Sequence, residues 1–251
     1  MAYLDRDGIR IYYEVHGTGP TVLLSHGYSA TSAMWAPQLD ALGADHRVVI
    51  WDMRGHGASD SPDDPAAYSE AHTVGDMAAL LDTLDAPHAV IGGLSLGGYM
   101  SLAFYAAHPE RVNALMLFDT GPGYRSDRGR DAWNRTAEQR AQQFETQGLA
   151  ALSAGGEVRV SSHRSARGLA HAARGMLAQR DGHVMATLSA IRVPTLVLVG
   201  ALDEPFLAAS DYMAAKIPAA TKVVLAGAGH ASNIDRPRDF NAAVLDFLAA
   251  L

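Results

Sequence analysis

Short apolar runs, most of them rich in β-branched residues, alternate along this chain with segments of helical periodicity. Near-continuous apolar runs are typical of strands that are buried on both faces, as in a parallel sheet. The predicted strands are Ile9–Val15, Thr21–Leu24, Arg47–Trp51, Ala89–Ile91, Ala114–Phe118, Thr195–Val199 and Lys222–Leu225. The predicted helices are Met34–Leu42, Ser69–Leu84, Leu96–His108, Leu207–Ile217 and Asp239–Leu248. Strands that alternate with helices indicate an α/β fold.

The composition excludes several classes of protein. The chain has 251 residues, of which 48% are hydrophobic and 19% charged, so it has enough apolar material for one buried core. It contains no cysteine, which excludes disulfides, a thiol nucleophile and cysteine metal sites. Its formal net charge of −7 argues against binding of nucleic acid through bulk charge.

The sequence also favours a soluble cytoplasmic protein that does not enter membranes. The first residues contain no apolar run of the kind found in a signal peptide. Residues 89–107 are 19 consecutive positions without a charge, about the length of a membrane span. Four glycines and two serines lie among them, which favours a sharp turn between two buried elements over a membrane helix.

The alternation of strands and helices stops between residues 121 and 190. This span has no strand-like run and contains ten arginines, no lysine and six acidic residues, so its net charge is +4 while the rest of the chain carries −11. We therefore predict that residues 121–190 form a helical cap, or lid, inserted into an α/β core made of residues 1–120 and 191–251. Three histidines of the insertion are expected on its surface, namely His163, His171 and His183.

The pentapeptide Gly93-Leu94-Ser95-Leu96-Gly97 lies between a predicted strand and a predicted helix. A G-x-S-x-G sequence in this context is typical of a nucleophile elbow, a turn so tight that small residues must flank the serine. The turn lifts the serine hydroxyl clear of the sheet and aims the helix N-terminus at the reacting carbonyl. Ser95 is therefore the predicted nucleophile.

A serine hydroxyl needs a base that takes its proton, so a histidine must lie within reach. Among eleven histidines, His230 is the best candidate because it follows the last predicted strand in a glycine-rich loop. Loops at the carboxyl ends of parallel strands commonly carry function in α/β folds. Asp203 is the predicted acid that orients the imidazole, since the chain order Ser…Asp…His fits this elbow. Asp119, at the end of another strand, is the alternative acid.

Two backbone N–H groups are expected to stabilise the oxyanion that forms during acyl transfer. Leu96 supplies one, because it follows the nucleophile, and Tyr28, just after an early strand, supplies the other. The nearby His26 is interpreted as a structural residue that holds this loop. The polar segment 52–60 places Asp52, His56 and Asp60 four residues apart, but its glycines disfavour the helix that would align them for a metal ion. We therefore predict a hydrogen-bonded loop there and no metal site.

The substrate pocket is expected to be apolar and of modest size. Aromatic and methionine side chains in and around the insertion are candidates for its walls, although such residues also pack commonly in protein cores. The candidates are Trp35, Trp133, Phe144, Met176, Met185 and Phe206.

Taken together, these motifs resemble those of the α/β-hydrolase superfamily. The resemblance covers nearly the whole chain and is carried by His26-Gly27-Tyr28, residues 52–59, the elbow, Asp203 and His230. It implies an eight-stranded, mostly parallel sheet flanked by helices, with a small helical lid after the sixth strand that forms the roof of an acyl pocket.

Within the superfamily, the chain is similar to 3-oxoadipate enol-lactonases and small bacterial carboxylesterases. The similarity lies in residues 93–98 and 228–233 and continues at Pro237 and Phe240-Asn241. Enol-lactonases act on an anionic lactone, which an arginine-rich lid would suit, although a solvated helix face explains the same arginines. The Arg-Trp-Phe lid motif of that group is absent, and Asp131-Ala132-Trp133-Asn134 occupies roughly its place.

The residues predict a serine hydrolase that cleaves a small carboxylic ester or lactone without cofactor or metal. Its partner would be a small molecule, with no nucleic acid and no membrane, and the sequence does not indicate the oligomeric state. Ser95 excludes branches with an aspartate nucleophile, such as epoxide hydrolases. Carbon–carbon bond hydrolases of aromatic catabolism are an alternative, although they usually carry tryptophan where this chain has Ala231. Cofactor-free perhydrolases and acyltransferases are further alternatives, and a ligand-binding receptor is the non-enzymatic one.

Overall fold

A computed structural model describes residues 2–251, and one sheet of eight strands runs through its centre. The strands are β1 (Ala2–Arg6), β2 (Ile9–His16), β3 (Thr21–Ser25), β4 (Arg47–Trp51), β5 (Ala89–Leu94), β6 (Val112–Phe118), β7 (Thr195–Gly200) and β8 (Ala220–Leu225). Their order across the sheet is β1-β2-β4-β3-β5-β6-β7-β8. The β1–β2 and β2–β4 pairs are antiparallel, and all pairs from β4 to β8 are parallel. The predicted α/β fold with a mostly parallel sheet is therefore confirmed.

Helices connect most of these strands. They are α1 (Ala36–Gly43), α2 (Glu70–Thr83), α3 (Leu96–Ala107), α4 (Asp127–Gln147), α5 (Gly156–Arg159), α6 (Ala166–Ala172), α7 (His183–Thr187), α8 (Glu204–Lys216), α9 (Ser232–Asp235) and α10 (Pro237–Leu248). A π-helical turn, Ala173–Leu177, follows α6 directly. No helix in the described residues is both long and apolar enough to cross a membrane.

Helices cover both faces of the sheet, which explains the near-continuous apolar strands in the sequence. Every residue of β3, β5 and β7 is buried. On one face, Met77 of α2, Phe104 of α3 and Met213 of α8 belong to one buried cluster. On the other face, Leu42 of α1 and Phe240 of α10 belong to a second cluster. Fully burying an aromatic or large aliphatic side chain contributes about 1.5–3 kcal/mol, so these two layers hold the sheet in place.

The apolar runs predicted seven strands, and β1 is the one that they missed. Its sequence alternates half-buried and exposed residues and ends in Asp5 and Arg6, because it forms an edge of the sheet with a partner on one side only. A short edge strand with charged residues does not produce a continuous apolar run. The eighth strand was implied only by the family resemblance.

The segment between β6 and β7 is helical in the structure. Helices α4 to α7 lie here, and Ala141, Phe144, Leu169, Ala170 and Ala173 form a small buried cluster among them. The predicted surface position of His163 is wrong, since this residue is only 8% exposed. Its ring is buried because the Nε2–H donates to the Ser29 carbonyl at 3.0 Å and Nδ1 accepts from the Gly57 N–H at 3.2 Å.

Candidate active site

Ser95 lies in the sharp turn between β5 and α3, and its backbone has the unusual dihedral angles φ +55° and ψ −116°. The two flanking glycines are required by close backbone contacts. A Cβ atom on Gly93 would come within 2.4 Å of the carbonyl carbon of Gly97, and one on Gly97 would come within 2.1 Å of the Ser25 carbonyl oxygen. Strained residues of this kind persist where the surrounding structure fixes them, and they are common at functional sites.

Hydrogen bonds from two neighbouring segments fix this turn. The Ser95 N–H donates to the Phe118 carbonyl at 2.9 Å, which joins the turn to the end of β6. The Ser95 carbonyl accepts from the Thr120 hydroxyl at 2.6 Å and from the Tyr99 N–H at 3.1 Å. These bonds involve only the backbone of Ser95, so its hydroxyl is left available for chemistry.

His230 and Asp203 are hydrogen-bonded to each other on loops at the carboxyl end of the sheet. The His230 Nδ1–H donates to Asp203 Oδ2 at 2.8 Å, and the Asp203 carboxylate is buried. Asp203 follows β7 at the start of α8, and His230 lies between β8 and α9. Phe206, in the first turn of α8, stacks on the imidazole with 5.0 Å between ring centroids. This pairing fixes the tautomer, so Nε2 is the nitrogen that can accept a proton.

The surroundings of His230 favour its protonated form. Burial is the largest single influence and lowers its pKa. The hydrogen bond and charge of Asp203, with the charges of Asp119 and Glu157, act in the opposite direction and leave the pKa raised above its ordinary value. An imidazole in this setting can take up a proton readily, and its Nε2 makes no hydrogen bond to the Ser95 hydroxyl within residues 2–251.

Asp119 is close to this pair but is not hydrogen-bonded to His230. Its carboxylate accepts from the Gly200 N–H at 2.8 Å and from the Ser232 hydroxyl, and the side chain is fully buried. Burial raises the pKa of Asp119 to about 7, against the effect of those two hydrogen bonds. Asp119 therefore joins the end of β7 to the loop that carries His230.

The loop after β3 passes next to the nucleophile candidate. A Cβ atom on Gly27 would lie 3.5 Å from the Cβ of Ser95. The N–H groups of the next residue, Tyr28, and of Leu96 make no hydrogen bond to any group of residues 2–251. The Tyr28 hydroxyl donates to the Leu169 carbonyl at 2.8 Å, which attaches this loop to the helical insertion.

A cavity of about 140 Å³ opens beside Ser95. It is smaller than the roughly 300–1,000 Å³ that is common for sites of drug-sized ligands, so it suits a small molecule. Its lining residues are Ser95, Leu96, Tyr99, Thr120, Gly121, Gly123, Tyr124, Trp133, Leu177, Gln179, Pro205, Phe206 and Ala209. Two of the predicted pocket residues, Trp133 and Phe206, are among them.

The other four predicted pocket residues lie elsewhere. Trp35 packs in the core against Phe118 and Phe240. Phe144 belongs to the small cluster of the insertion, and Met176 faces the main core. Met185 is half-buried on α7 and does not line the cavity. Sequence reasoning had no means of separating these from Trp133 and Phe206, because apolar side chains in cores and in pockets follow the same periodicity.

Several cavity residues carried no signal in the sequence, in particular Tyr99, Thr120, Tyr124, Leu177 and Gln179. Tyr99 and Thr120 lie within a few residues of the ends of β5 and β6, where a search of strand ends could have found them. Tyr124, Leu177 and Gln179 reach the cavity through the fold of the insertion, which the sequence did not define.

The polar loop at residues 52–60 is tied to the protein by hydrogen bonds. His26 Nε2 accepts from the Met53 N–H at 2.9 Å, and its Nδ1–H donates to the Gly27 carbonyl at 2.7 Å. Asp52 accepts from the Ser32 and Ala58 N–H groups at 2.7 and 2.8 Å. Nowhere in residues 2–251 do side chains of His, Asp and Glu gather into a group that could hold a metal ion.

Comparison with known proteins shows similarity along nearly the whole chain. The family model of the alpha/beta hydrolase fold matches residues 20–167. A putative carbamate hydrolase RutD of Variovorax paradoxus (strain S110) is 34% identical over 274 residues, which cover 95% of this chain and 96% of that protein. The 3-oxoadipate enol-lactonase 2 of Acinetobacter baylyi is 30% identical over 243 residues, covering 90% and 87%. The crystal structure of the enol-lactonase from Burkholderia xenovorans LB400 is 29% identical and superposes with a TM-score of 0.78 over 99% of this chain and 100% of that chain.

Proposed function

The chain belongs to the alpha/beta hydrolase fold family, and from this premise we propose that it is a serine hydrolase that cleaves a small carboxylic ester or lactone through an acyl-enzyme on Ser95. The observation that carries the proposal is the 2.8 Å hydrogen bond from His230 to the buried carboxylate of Asp203. This pair lies at the carboxyl ends of the parallel strands, where the elbow also presents Ser95. A nucleophile, a base and an oriented acid in this chain order are the parts that acyl transfer requires.

The first half of the reaction forms the acyl-enzyme. His230 Nε2 takes the proton of Ser95 as the hydroxyl oxygen attacks the carbonyl carbon of the substrate, and Asp203 stabilises the imidazolium that results. The N–H groups of Tyr28 and Leu96 donate to the oxyanion of the tetrahedral intermediate. When the intermediate collapses, the bond to the alkoxy oxygen breaks, and His230 returns its proton to that oxygen.

The second half restores the enzyme. His230 takes a proton from a water molecule, whose oxygen attacks the acyl carbon, and the same N–H groups again stabilise the oxyanion. The bond to Ser95 breaks, Ser95 regains its proton from His230, and the carboxylic acid leaves. In an ester substrate the alcohol departs in the first half, whereas in a lactone both products remain one molecule.

The relatives support this class of substrate. They are named for a carbamate and for an enol-lactone, and both compounds carry a carbonyl carbon bonded to a heteroatom that can leave. The small cavity beside Ser95 is consistent with a small acyl group.

Covalent labelling tests the nucleophile directly. Incubation with diethyl p-nitrophenyl phosphate is expected to add one diethyl phosphoryl group per chain, because an activated serine attacks phosphorus and releases p-nitrophenol. Intact mass spectrometry followed by peptide mapping should place the group on Ser95. Ser101 lies on α3, is buried and donates to the Gly97 carbonyl, so it is the internal control and should remain unlabelled. An unlabelled chain, or a group on a different residue, would contradict the proposal.

The pH profile tests the base. Because the imidazole must be neutral to accept a proton, kcat/KM should fall as the pH drops through the pKa of His230 in the free enzyme. That midpoint is expected above the ordinary histidine value, since Asp203, Asp119 and Glu157 favour the cation. In the Asp203→Asn variant, the midpoint of the pH profile of the residual activity should move to lower pH. A midpoint that is the same in the wild type and in Asp203→Asn would mean that His230 is not the titrating base.

A further inference from the structure

Helix α4 holds the segment 177–179 at the wall of the cavity by three hydrogen bonds. The Trp133 indole N–H donates to the Leu177 carbonyl at 2.8 Å. The Asn134 side chain binds the backbone of Gln179 on both sides, donating to its carbonyl at 2.8 Å and accepting from its N–H at 2.8 Å. The backbone of Gln179 is therefore held in place before any substrate binds.

The side chain of Gln179 is also oriented. It lines the cavity and is only 8% exposed, and its Oε1 accepts from the Tyr124 N–H at 3.1 Å. A backbone N–H can only donate, so this bond distinguishes the oxygen from the nitrogen of the amide. The Nε2 group donates no hydrogen bond within the described part of the chain. The Nε2 group is open to the cavity, so a ligand acceptor there would give this donor a partner.

The remaining surface of the cavity is uncharged. Among residues 2–251, those that line it include no Arg, Lys, Asp or Glu, while Tyr124 and Trp133 lie with ring centroids 5.9 Å apart. Two arginines of the insertion are engaged away from the cavity lining. Arg174 pairs with Glu138 at 2.7 Å, and Arg164 donates to the Gly57 carbonyl at 3.1 Å. A carboxylate that entered the cavity would lose its water without gaining an opposite charge, which is unfavourable.

We propose that Gln179 determines specificity by donating a hydrogen bond from Nε2 to a neutral oxygen, such as an ether, ketone or hydroxyl, on the substrate group that fills the cavity. This inference rests on the proposed function and deepens it, because it assigns the substrate class: neutral, oxygen-bearing esters or lactones in preference to carboxylated ones. Gln179 acts as a binding residue, and its contact does not change during bond cleavage. It therefore lowers KM and leaves kcat nearly unchanged.

A matched pair of esters tests this role. p-Nitrophenyl 3-methoxypropanoate and p-nitrophenyl pentanoate differ by one ether oxygen in place of a methylene group. The kcat/KM of each ester is divided by the rate constant of the same ester with hydroxide, which corrects for its intrinsic reactivity. After this correction, the wild type is expected to favour the methoxy ester about tenfold. Gln179→Met loses both the donor and the acceptor for the Tyr124 N–H, whereas Gln179→Glu in its ionised form keeps the acceptor and loses the donor. Each variant should abolish the preference, mainly through KM, whereas Gln143→Met on the exposed face of α4 should retain it.

A damaged fold would slow both esters equally, so the ratio of the two rates reports on the hydrogen bond alone. p-Nitrophenyl hydrogen succinate, which carries a carboxylate, should be at least about tenfold poorer than the pentanoate. The proposal is overturned when both Gln179 variants keep the wild-type preference, or when the succinate ester is the best substrate.

Binding to Ser95→Ala separates this proposal from the proposed function. Methyl 3-methoxypropanoate should bind this variant more tightly than methyl pentanoate in an NMR titration, and Gln179→Met in the same background should remove the difference. If wild-type turnover of all esters is absent but this binding difference is found, the hydrolytic function fails and the role of Gln179 stands. If turnover depends on Ser95 but neither experiment shows a preference, the role of Gln179 fails alone.

Discussion

Ser95→Ala is expected to lower kcat for any ester substrate about a million-fold, because the variant has no oxygen with which to form the acyl-enzyme. The residual rate would come from substrate binding and from the N–H groups of Tyr28 and Leu96, which the substitution leaves in place. The hydroxyl of Ser95 makes no hydrogen bond within residues 2–251, so its removal should not alter the fold. Single-turnover kinetics with a p-nitrophenyl ester measure the loss, and thermal unfolding measures stability.

Ser101→Ala is the matched control for this experiment. Ser101 lies on α3, the helix that follows Ser95, and is fully buried, and its hydroxyl donates to the Gly97 carbonyl at 2.8 Å. The loss of one neutral hydrogen bond costs about 0.5–1.5 kcal/mol of stability. We therefore expect Ser101→Ala to lower the melting temperature slightly and to change kcat by no more than a few-fold. Retention of most of the rate by Ser95→Ala would disprove the acyl-enzyme mechanism.

The sequence was sufficient for the central strands of the sheet because burial on both faces leaves a strong signal. Strands β3, β5 and β7 are buried along their whole length, and each appears in the sequence as an apolar run. The edge strand β1 is paired on one side only, so its residues alternate between half-buried and exposed, and no such run appears. Patterns of apolar residues thus report how many faces of an element are covered, and they become weak at the edge of a sheet.

Some residues of the candidate site could likewise be predicted from the sequence, and others could not. Residues at strand ends could be predicted, because parallel strands bring their carboxyl ends to one edge, and the structure places Asp203 and His230 in contact there. Gln179 could not be predicted, because its position depends on contacts between α4 and a segment 45 residues further along the chain. Nor could the net charge of the insertion show where its arginines point. Such tertiary contacts have no periodic signature in the sequence.

Asp119 shows why the order of residues alone does not decide between two acids. Both Asp119 and Asp203 follow strands of the parallel sheet, so both were candidates on position. In the structure, the Asp119 carboxylate is occupied by the Gly200 N–H and the Ser232 hydroxyl, whereas Asp203 accepts from the His230 imidazole. The two carboxylates thus have different partners, and variants that remove one charge at a time can separate their roles.

Asp203→Asn is expected to lower kcat about 10⁴-fold, while Asp119→Asn should change it less than tenfold. An amide at position 203 cannot stabilise the imidazolium, and its NH₂ group can bind Nδ1 and so favour the wrong tautomer of His230. An amide at position 119 still accepts from the Gly200 N–H, and its NH₂ group can donate to the Ser232 hydroxyl, so the His230 loop stays in place. Steady-state kinetics on both variants with one p-nitrophenyl ester make the comparison.

The stability of the two variants supplies an independent check. In the folded chain the pKa of Asp119 is raised to about 7, above its value in the unfolded chain. The folded state therefore loses stability as the pH rises from the pKa of the unfolded chain to the pKa of the folded one. Asp119→Asn has no such ionisation, so its melting temperature should improve relative to the wild type from about pH 4 to about pH 7 and change little above that. If instead Asp119→Asn abolishes turnover and Asp203→Asn preserves it, the acid that supports His230 is Asp119, and the 2.8 Å contact with Asp203 is structural.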